Sequence, residues 1–145
     1  MCKNMLKKLA LQDKIKDSKT IYLAEGFATA ATINIATNKP VAASFDAGNI
    51  EHVLKNLKSS YSNKEFIIAA DNDLWKEHNI GKEKAEMAAQ KYGAKVILPN
   101  FTLAHKDEAP TDFNDLHKIS GIHEVQRQIT EHQILYEQPS HDLRI

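Results

Sequence analysis

Phe66-Ile-Ile-Ala-Ala-Asp71-Asn-Asp73 decides how this chain folds: an apolar run of strand length stops abruptly at two carboxylates one residue apart. Upstream, Ile21-Tyr-Leu-Ala-Glu25-Gly26 is a second short apolar run, closed by an acid and a glycine. Runs this uniformly apolar belong to strands buried on both faces, as in parallel sheets. If the two strands are neighbours, Glu25, Asp71 and Asp73 converge at the carboxyl edge of the sheet, where open α/β folds bind ligands. Carboxylates gathered without a cation repel one another and lose their charge, so the arrangement points to Mg²⁺.

Outward from these strands, helix and strand patterns alternate. Gly26 is expected to turn the chain tightly into a helix over 27–37, whose small residues Ala28, Ala30, Ala31 and Thr32 allow close packing on the sheet. Pro40 ends it by disfavouring helix at Lys39. Val41–Phe45 reads as another buried strand. Ile50, Val53, Leu54 and Leu57 then recur at the spacing of one helix face, as do Ala85, Ala88, Ala89 and Tyr92 further on. Phe66–Ala70 is the third strand and Lys95–Leu98 the fourth, closed by Pro99. Residues 100–111 read as an exposed loop. Helices follow from about Asp112, whose acids suit the helix dipole, and from about Ile122 to Tyr136. The fold class is therefore α/β, a four-stranded parallel sheet with helices on both faces and the first and third strands adjacent.

With 145 residues the chain suits one domain over 19–136, preceded by an amphipathic helix or linker over 1–18 and followed by a flexible tail over 137–145. Nineteen basic residues balance nineteen acidic ones, so net charge argues neither for nor against a nucleic-acid partner. One cysteine, Cys2, excludes an internal disulfide and a cysteine-based zinc cluster. No apolar stretch is long enough to span a bilayer and no signal peptide is visible, so a soluble, cytoplasmic location is expected.

Each motif has a plain reading beside the functional one. Asp71 and Asp73 alone describe a polar turn leaving a strand; together with Glu25 they favour a metal. Asp46, Gly48 and Asn49 either touch substrate or form a turn in which Asn49 caps the next helix. Trp75 either stacks on a base or anchors its loop. His52 and His78 either reach the crevice or are solvated. Lys76, Lys82 and Lys84 either favour phosphates or decorate a solvated face. Helix starts after Gly26 and Gly48 would offer free N–H groups to phosphate.

Ala24-Glu25-Gly26-Phe27-Ala28-Thr29-Ala30, Ser44-Phe45-Asp46-Ala47-Gly48-Asn49, Ala70-Asp71-Asn72-Asp73, Gly81-Lys-Glu-Lys-Ala85 and Asp112-Phe-Asn-Asp115-Leu116 carry a resemblance over roughly residues 20–130. In these the chain resembles the Toprim domain of bacterial primases, topoisomerases and some nucleases, with its nearest likeness in plasmid- and phage-type primases and primase-helicases. The resemblance implies a Rossmann-like Toprim fold and Mg²⁺, with Mn²⁺ as a substitute, held by Asp71 and Asp73. Glu25 becomes a metal ligand or general acid/base, and Asp112 and Asp115 supporting acids. It further implies RNA primer synthesis from nucleoside triphosphates on single-stranded DNA, within a parent protein carrying zinc-ribbon or helicase domains. Gly26, Asp46, Gly48, Asn49 and Lys82 are substrate-binding candidates. Thr29 stands where cellular primases have an aspartate, and the 74–80 loop is longer here. Two other readings share the fold: a non-catalytic module that binds nucleic acid or protein, and a metal-dependent nuclease. Receiver, haloacid-dehalogenase and dinucleotide-binding arrangements fit poorly, because their acids or glycines fall at other strands.

Overall fold

The apolar run before Asp71 is an inner strand of the sheet. In the computed structural model, which describes residues 12–137, β1 (Thr20–Ala24), β2 (Val41–Ala43), β3 (Glu65–Ala69) and β4 (Lys95–Ile97) form a wholly parallel sheet in the order β2-β1-β3-β4. The first and third strands are adjacent, as expected. Their register pairs Ala24 with Ala69, so Glu25 is level with Ala70 and Asp71 stands one residue beyond. That single pairing brings acids from distant parts of the sequence to one edge.

Side chains alternate across the sheet, so each strand feeds two cores. Ile21, Leu23, Ala42, Phe66, Ile68 and Ala70 face α3 (Ile50–Ser60) and α4 (Ile80–Tyr92). Tyr22, Val41, Ala43, Ile67, Ala69 and Ile97 face α2 (Phe27–Thr37), α5 (Phe113–Ser120) and α6 (Ile122–Glu137). Helices thus cover both faces, and the apolar strand runs are explained. The short α1 (Gln12–Asp17) adds Ile15 to the first core. The rest of the expected amino-terminal helix or linker, and the tail from residue 138, lie outside the described residues.

Several boundaries move by a residue or more. β2 ends at Ala43, although Ser44 and Phe45 still donate backbone bonds to the carbonyls of Ala24 and Glu25 at 2.9 and 2.7 Å. β3 and β4 end at Ala69 and Ile97, and α4 opens at Ile80, one residue before Gly81. α2 stops because Asn38 takes a left-handed conformation (φ 54°) and returns its N–H to Asn34, just before Pro40. The 100–111 segment is not wholly irregular: Leu103–Glu108 winds as a 3-10 helix with no apolar period to reveal it. Gly26 also departs from expectation. It is extended (φ −94°), and a side chain there would find only Thr29 Oγ1 within 4 Å, at 3.9 Å. No glycine-only conformation makes that turn.

Candidate metal centre

Glu25, Asp71 and Asp73 come together at the carboxyl edge closely enough to act on one another's charge. Glu25 has its pKa raised by burial, then by the charge of Asp46 and more weakly by that of Asp73. A hydrogen bond from the Ala47 backbone and one shared with Asp71 partly oppose the rise. Asp71 is pushed up to about 7, first by burial and then by Glu25, Asp112, Asp73 and Asp115. Its Oδ1 is buried and has no hydrogen-bond partner. A carboxylate oxygen in that position is costly unless something positive meets it.

Asp73 has found a positive partner: Lys76 Nζ lies 2.9 Å from its Oδ1. Among the described residues no three His, Cys, Asp or Glu side chains stand close enough together to hold an ion by themselves. The donor chemistry nevertheless fits a hard cation. All donors are carboxylate oxygens, one of them is unsatisfied, and Mg²⁺ needs only one or two carboxylates beside water and phosphate oxygens.

Asn72, between the acids, is a positioning residue that sequence reading passed over. It is 5% exposed. Its Nδ2 donates to Pro99 O at 2.9 Å, its Oδ1 accepts from Asn79 Nδ2 at 2.7 Å, and its N–H donates to Thr111 O at 2.6 Å. Asn79 Oδ1 in turn accepts the Asp73 N–H at 3.0 Å. Gly81 supports the same corner. A Cβ there would stand 3.1 Å from Asp71 Cβ and 3.3 Å from its carbonyl oxygen, so α4 approaches Asp71 through the missing side chain.

Other candidates take more structural positions. Asp112 caps α5, accepting the Asp115 N–H at 2.8 Å, and Asp115 Oδ2 accepts the Thr111 N–H at 3.0 Å; both still act on Asp71 through charge. Asp46, not Asn49, makes the cap before α3, its Oδ1 accepting the Gly48 N–H at 2.5 Å. Asn49 makes no side-chain cap and reaches Ser44 O at 3.4 Å. Trp75 Nε1 donates to Pro110 O at 3.0 Å, which anchors its loop. His78 is exposed, and His52 contacts Asn56 on the same helix at 3.2 Å. Lys82 pairs along α4 with Glu86 at 3.8 Å. Lys84 Nζ would lie 3.7 Å from a Cβ on Gly48, beside the turn that carries Asp46.

Among the described residues no helix is long and apolar enough to cross a membrane. The Toprim domain family matches residues 20–123. Two proteins from Escherichia coli, each described as DNA primase TraC, are similar to this chain. One is 40% identical over 96 residues, 63% of this chain and 7% of the relative; the other is 34% identical over 93 residues, 61% of this chain and 9% of the relative. The chain thus spans less than a tenth of the length of either. No solved structure matches it. With the family match covering most of the chain and the parallel order β2-β1-β3-β4 beneath it, this protein belongs to the Toprim domain family.

Proposed function

We propose that this chain is the catalytic Toprim domain of a DNA primase, carrying out Mg²⁺-dependent nucleotidyl transfer that builds RNA primers on single-stranded DNA. The observation that carries the reading is Asp71: a buried carboxylate oxygen without a partner, whose pKa is lifted to about 7 by burial first and then by the like charges of Glu25, Asp112, Asp73 and Asp115. Stability alone gives no reason to gather those charges. Toprim domains generally bind Mg²⁺, and the similarity to DNA primase TraC supports the primase assignment.

Asp71 and Asp73 would hold the ion, with Glu25 as a third oxygen donor. Bound there, Mg²⁺ (or Mn²⁺ in its place) supplies positive charge to the oxygens around the transferred phosphoryl group. Glu25 would take the proton of an attacking 3′ hydroxyl at its carboxylate, the burial that raises its pKa making it a better base. Asn72 and Asn79 fix the backbone that carries Asp73, and Lys76 holds the Asp73 carboxylate when no other cation does. Template-reading and motor segments of a parent protein would bring the single strand to this edge.

The test is a Mg²⁺ titration by calorimetry, with Mn²⁺ relaxation as a second readout, on the wild type and on the Asp71→Asn/Asp73→Asn double variant. The wild type should bind and the variant should not; an unchanged titration overturns the site. Incubation with single-stranded DNA, labelled ribonucleotides and Mg²⁺ then distinguishes chemistry. Short RNA supports a primase, whereas shortened DNA makes the chain a nuclease.

A further inference from the structure

Phe45 is the residue that the fold explains least. It follows β2 with φ of 64°, a left-handed conformation that bulky residues rarely adopt. The residue is also 55% exposed, so the unfavourable backbone is not repaid by a buried ring. Glycine or asparagine would fit the backbone without strain. Two unfavourable features at one position, one residue before the Asp46 turn, call for a reason outside folding.

The surroundings supply it. The Phe45 N–H donates to the carbonyl of Glu25 at 2.7 Å, so the backbone that carries the ring is tied directly to the backbone that carries the acid. Ser44 secures both sides, its N–H on Ala24 O at 2.9 Å and its Oγ on Asp46 O at 3.0 Å. Phe27, two residues beyond Glu25, is likewise 59% exposed, and among the described residues neither ring packs on another aromatic ring. Lys84 lies beside the same turn, near Gly48, and makes no ion pair among the described residues. An apolar protein partner would have to bury Asp46, Glu25 and Lys84 together with the ring. A single nucleic-acid strand needs both parts of this edge: flat apolar faces for its bases and cations for its phosphates.

We propose that Phe45 is a stacking platform for an unpaired base of a single nucleic-acid strand, with Lys84 meeting the strand's phosphate beside the carboxylate crevice. This rests on reading that crevice as a phosphoryl-transfer site. The platform sets which nucleotide stands next to Glu25, and its open, flat face makes that placement tolerant of sequence.

The experiment measures binding of a fluorescein-labelled oligothymidylate to the full chain by anisotropy, in Mg²⁺ and again in EDTA. The same strand carrying one 2-aminopurine reports stacking directly through quenching. Phe45→Ala should weaken binding about tenfold and abolish part of the quenching, while Phe45→Tyr keeps both. Phe45→Gly suits the left-handed backbone, so its loss of binding cannot be blamed on misfolding; circular dichroism melting verifies that it folds. Phe45→Leu keeps an apolar side chain without a π-face, and Met87→Ala on α4 is the exposed control. If Phe45→Leu binds the strand and quenches as the wild type does, no aromatic face is needed there and the proposal is wrong. Absence of strand binding by the wild type, or Phe45→Gly binding like the wild type, overturns it equally. Should Asp71→Asn/Asp73→Asn lose Mg²⁺ while Phe45→Gly retains the strand, the metal reading stands and the stacking proposal alone fails.

Discussion

Replacing Asp71 by asparagine keeps the shape of the side chain and removes its charge, so it measures how much that charge costs the fold. In the folded chain the Asp71 pKa is pushed from 3.8 to about 7, mainly by burial and then by Glu25, Asp112, Asp73 and Asp115. A shift of that size converts to roughly 4 kcal/mol at 1.36 kcal/mol per unit. The carboxyl group is partly open to water, and screening leaves about 1–2 kcal/mol as the expected effect on stability. The sign follows from the raised value. The folded chain holds the proton more tightly than the unfolded chain, so stability is full below about pH 3.8 and is lost as pH rises toward about 7. Above pH 7 and in EDTA, Asp71→Asn should therefore melt higher than the wild type, by roughly 3–8 °C for a chain of this size. Near pH 4 the two should melt together. Mg²⁺ should reverse the order at pH 8, because ligand at a hundred times its dissociation constant adds about 2.7 kcal/mol to a chain that binds it and nothing to one that does not. Circular dichroism melting at both pH values, with EDTA and with Mg²⁺, reads all four cases. If Asp71→Asn is the less stable protein at pH 8 in EDTA, the carboxylate makes a favourable contact in the folded chain and the reasoning from its orphaned oxygen is wrong.

Gly81→Ala should leave overall stability within about 1 kcal/mol, because the gain in helix propensity offsets the contact, while Mg²⁺ affinity falls as the new Cβ presses on Asp71 at 3.1 Å; melting and calorimetry on one sample separate the two effects. Asn72→Ala should cost roughly 2–4 kcal/mol in urea denaturation, since it strands the buried Pro99 carbonyl and leaves the half-buried Asn79 amide without its partner. Trp75→Phe should loosen the 74–80 loop by removing the bond to Pro110 O, with faster amide exchange there and no change in the core strands. Tyr22 is raised to about 12 by burial and then by the charge of Glu65, so the fold should lose stability between about pH 10 and pH 12. Tyr22→Phe should flatten that alkaline limb, as followed by phenolate absorbance and melting.

The parts of this fold that could be read in advance are those in which one residue type serves one physical purpose. Phe66–Ala70 must be a strand buried on both faces because nothing in it tolerates water, and α3 is visible because Ile50, Val53, Leu54 and Leu57 share one side of a helix. The acids were legible for the same reason, since charge at the end of such a strand can only be at an edge. Asn72 was not, because an amide between two aspartates looks like a spacer until the chain folds and brings up Pro99 and Thr111. The Leu103–Glu108 turn has no period to read, and the left-handed backbone of Phe45 leaves no mark on a sequence at all. Gly26 shows the reverse error. A glycine after an acid invites a conformational explanation, yet the turn there needs none, and a Cβ would make only an ordinary contact with Thr29 Oγ1 at 3.9 Å.

Two of these differences, Asn72 and Phe45, lie at the carboxyl edge and bear on what that edge is for. Where the chain serves stability alone, sequence and structure agree closely, as in the two cores. They part company at the edge, where Asp71 holds an unsatisfied oxygen, Phe45 holds an exposed ring on a strained backbone, and Gly81 gives up a side chain so that α4 can approach. Asn72 and its partners spend a buried polar network on holding that edge still. Local penalties of this kind persist only when the surrounding structure enforces them, and they gather where a ligand will later offset them. A divalent cation would relieve Asp71, and a stacked base would cover Phe45. If both were bound together, each would relieve a penalty at this edge, so amide exchange at residues 44–48 and 71–74 should slow most when Mg²⁺ and a single strand are added together. Slowing confined to the cores, or none beyond that given by Mg²⁺ alone, would separate the two sites and leave the strain at Phe45 without this explanation.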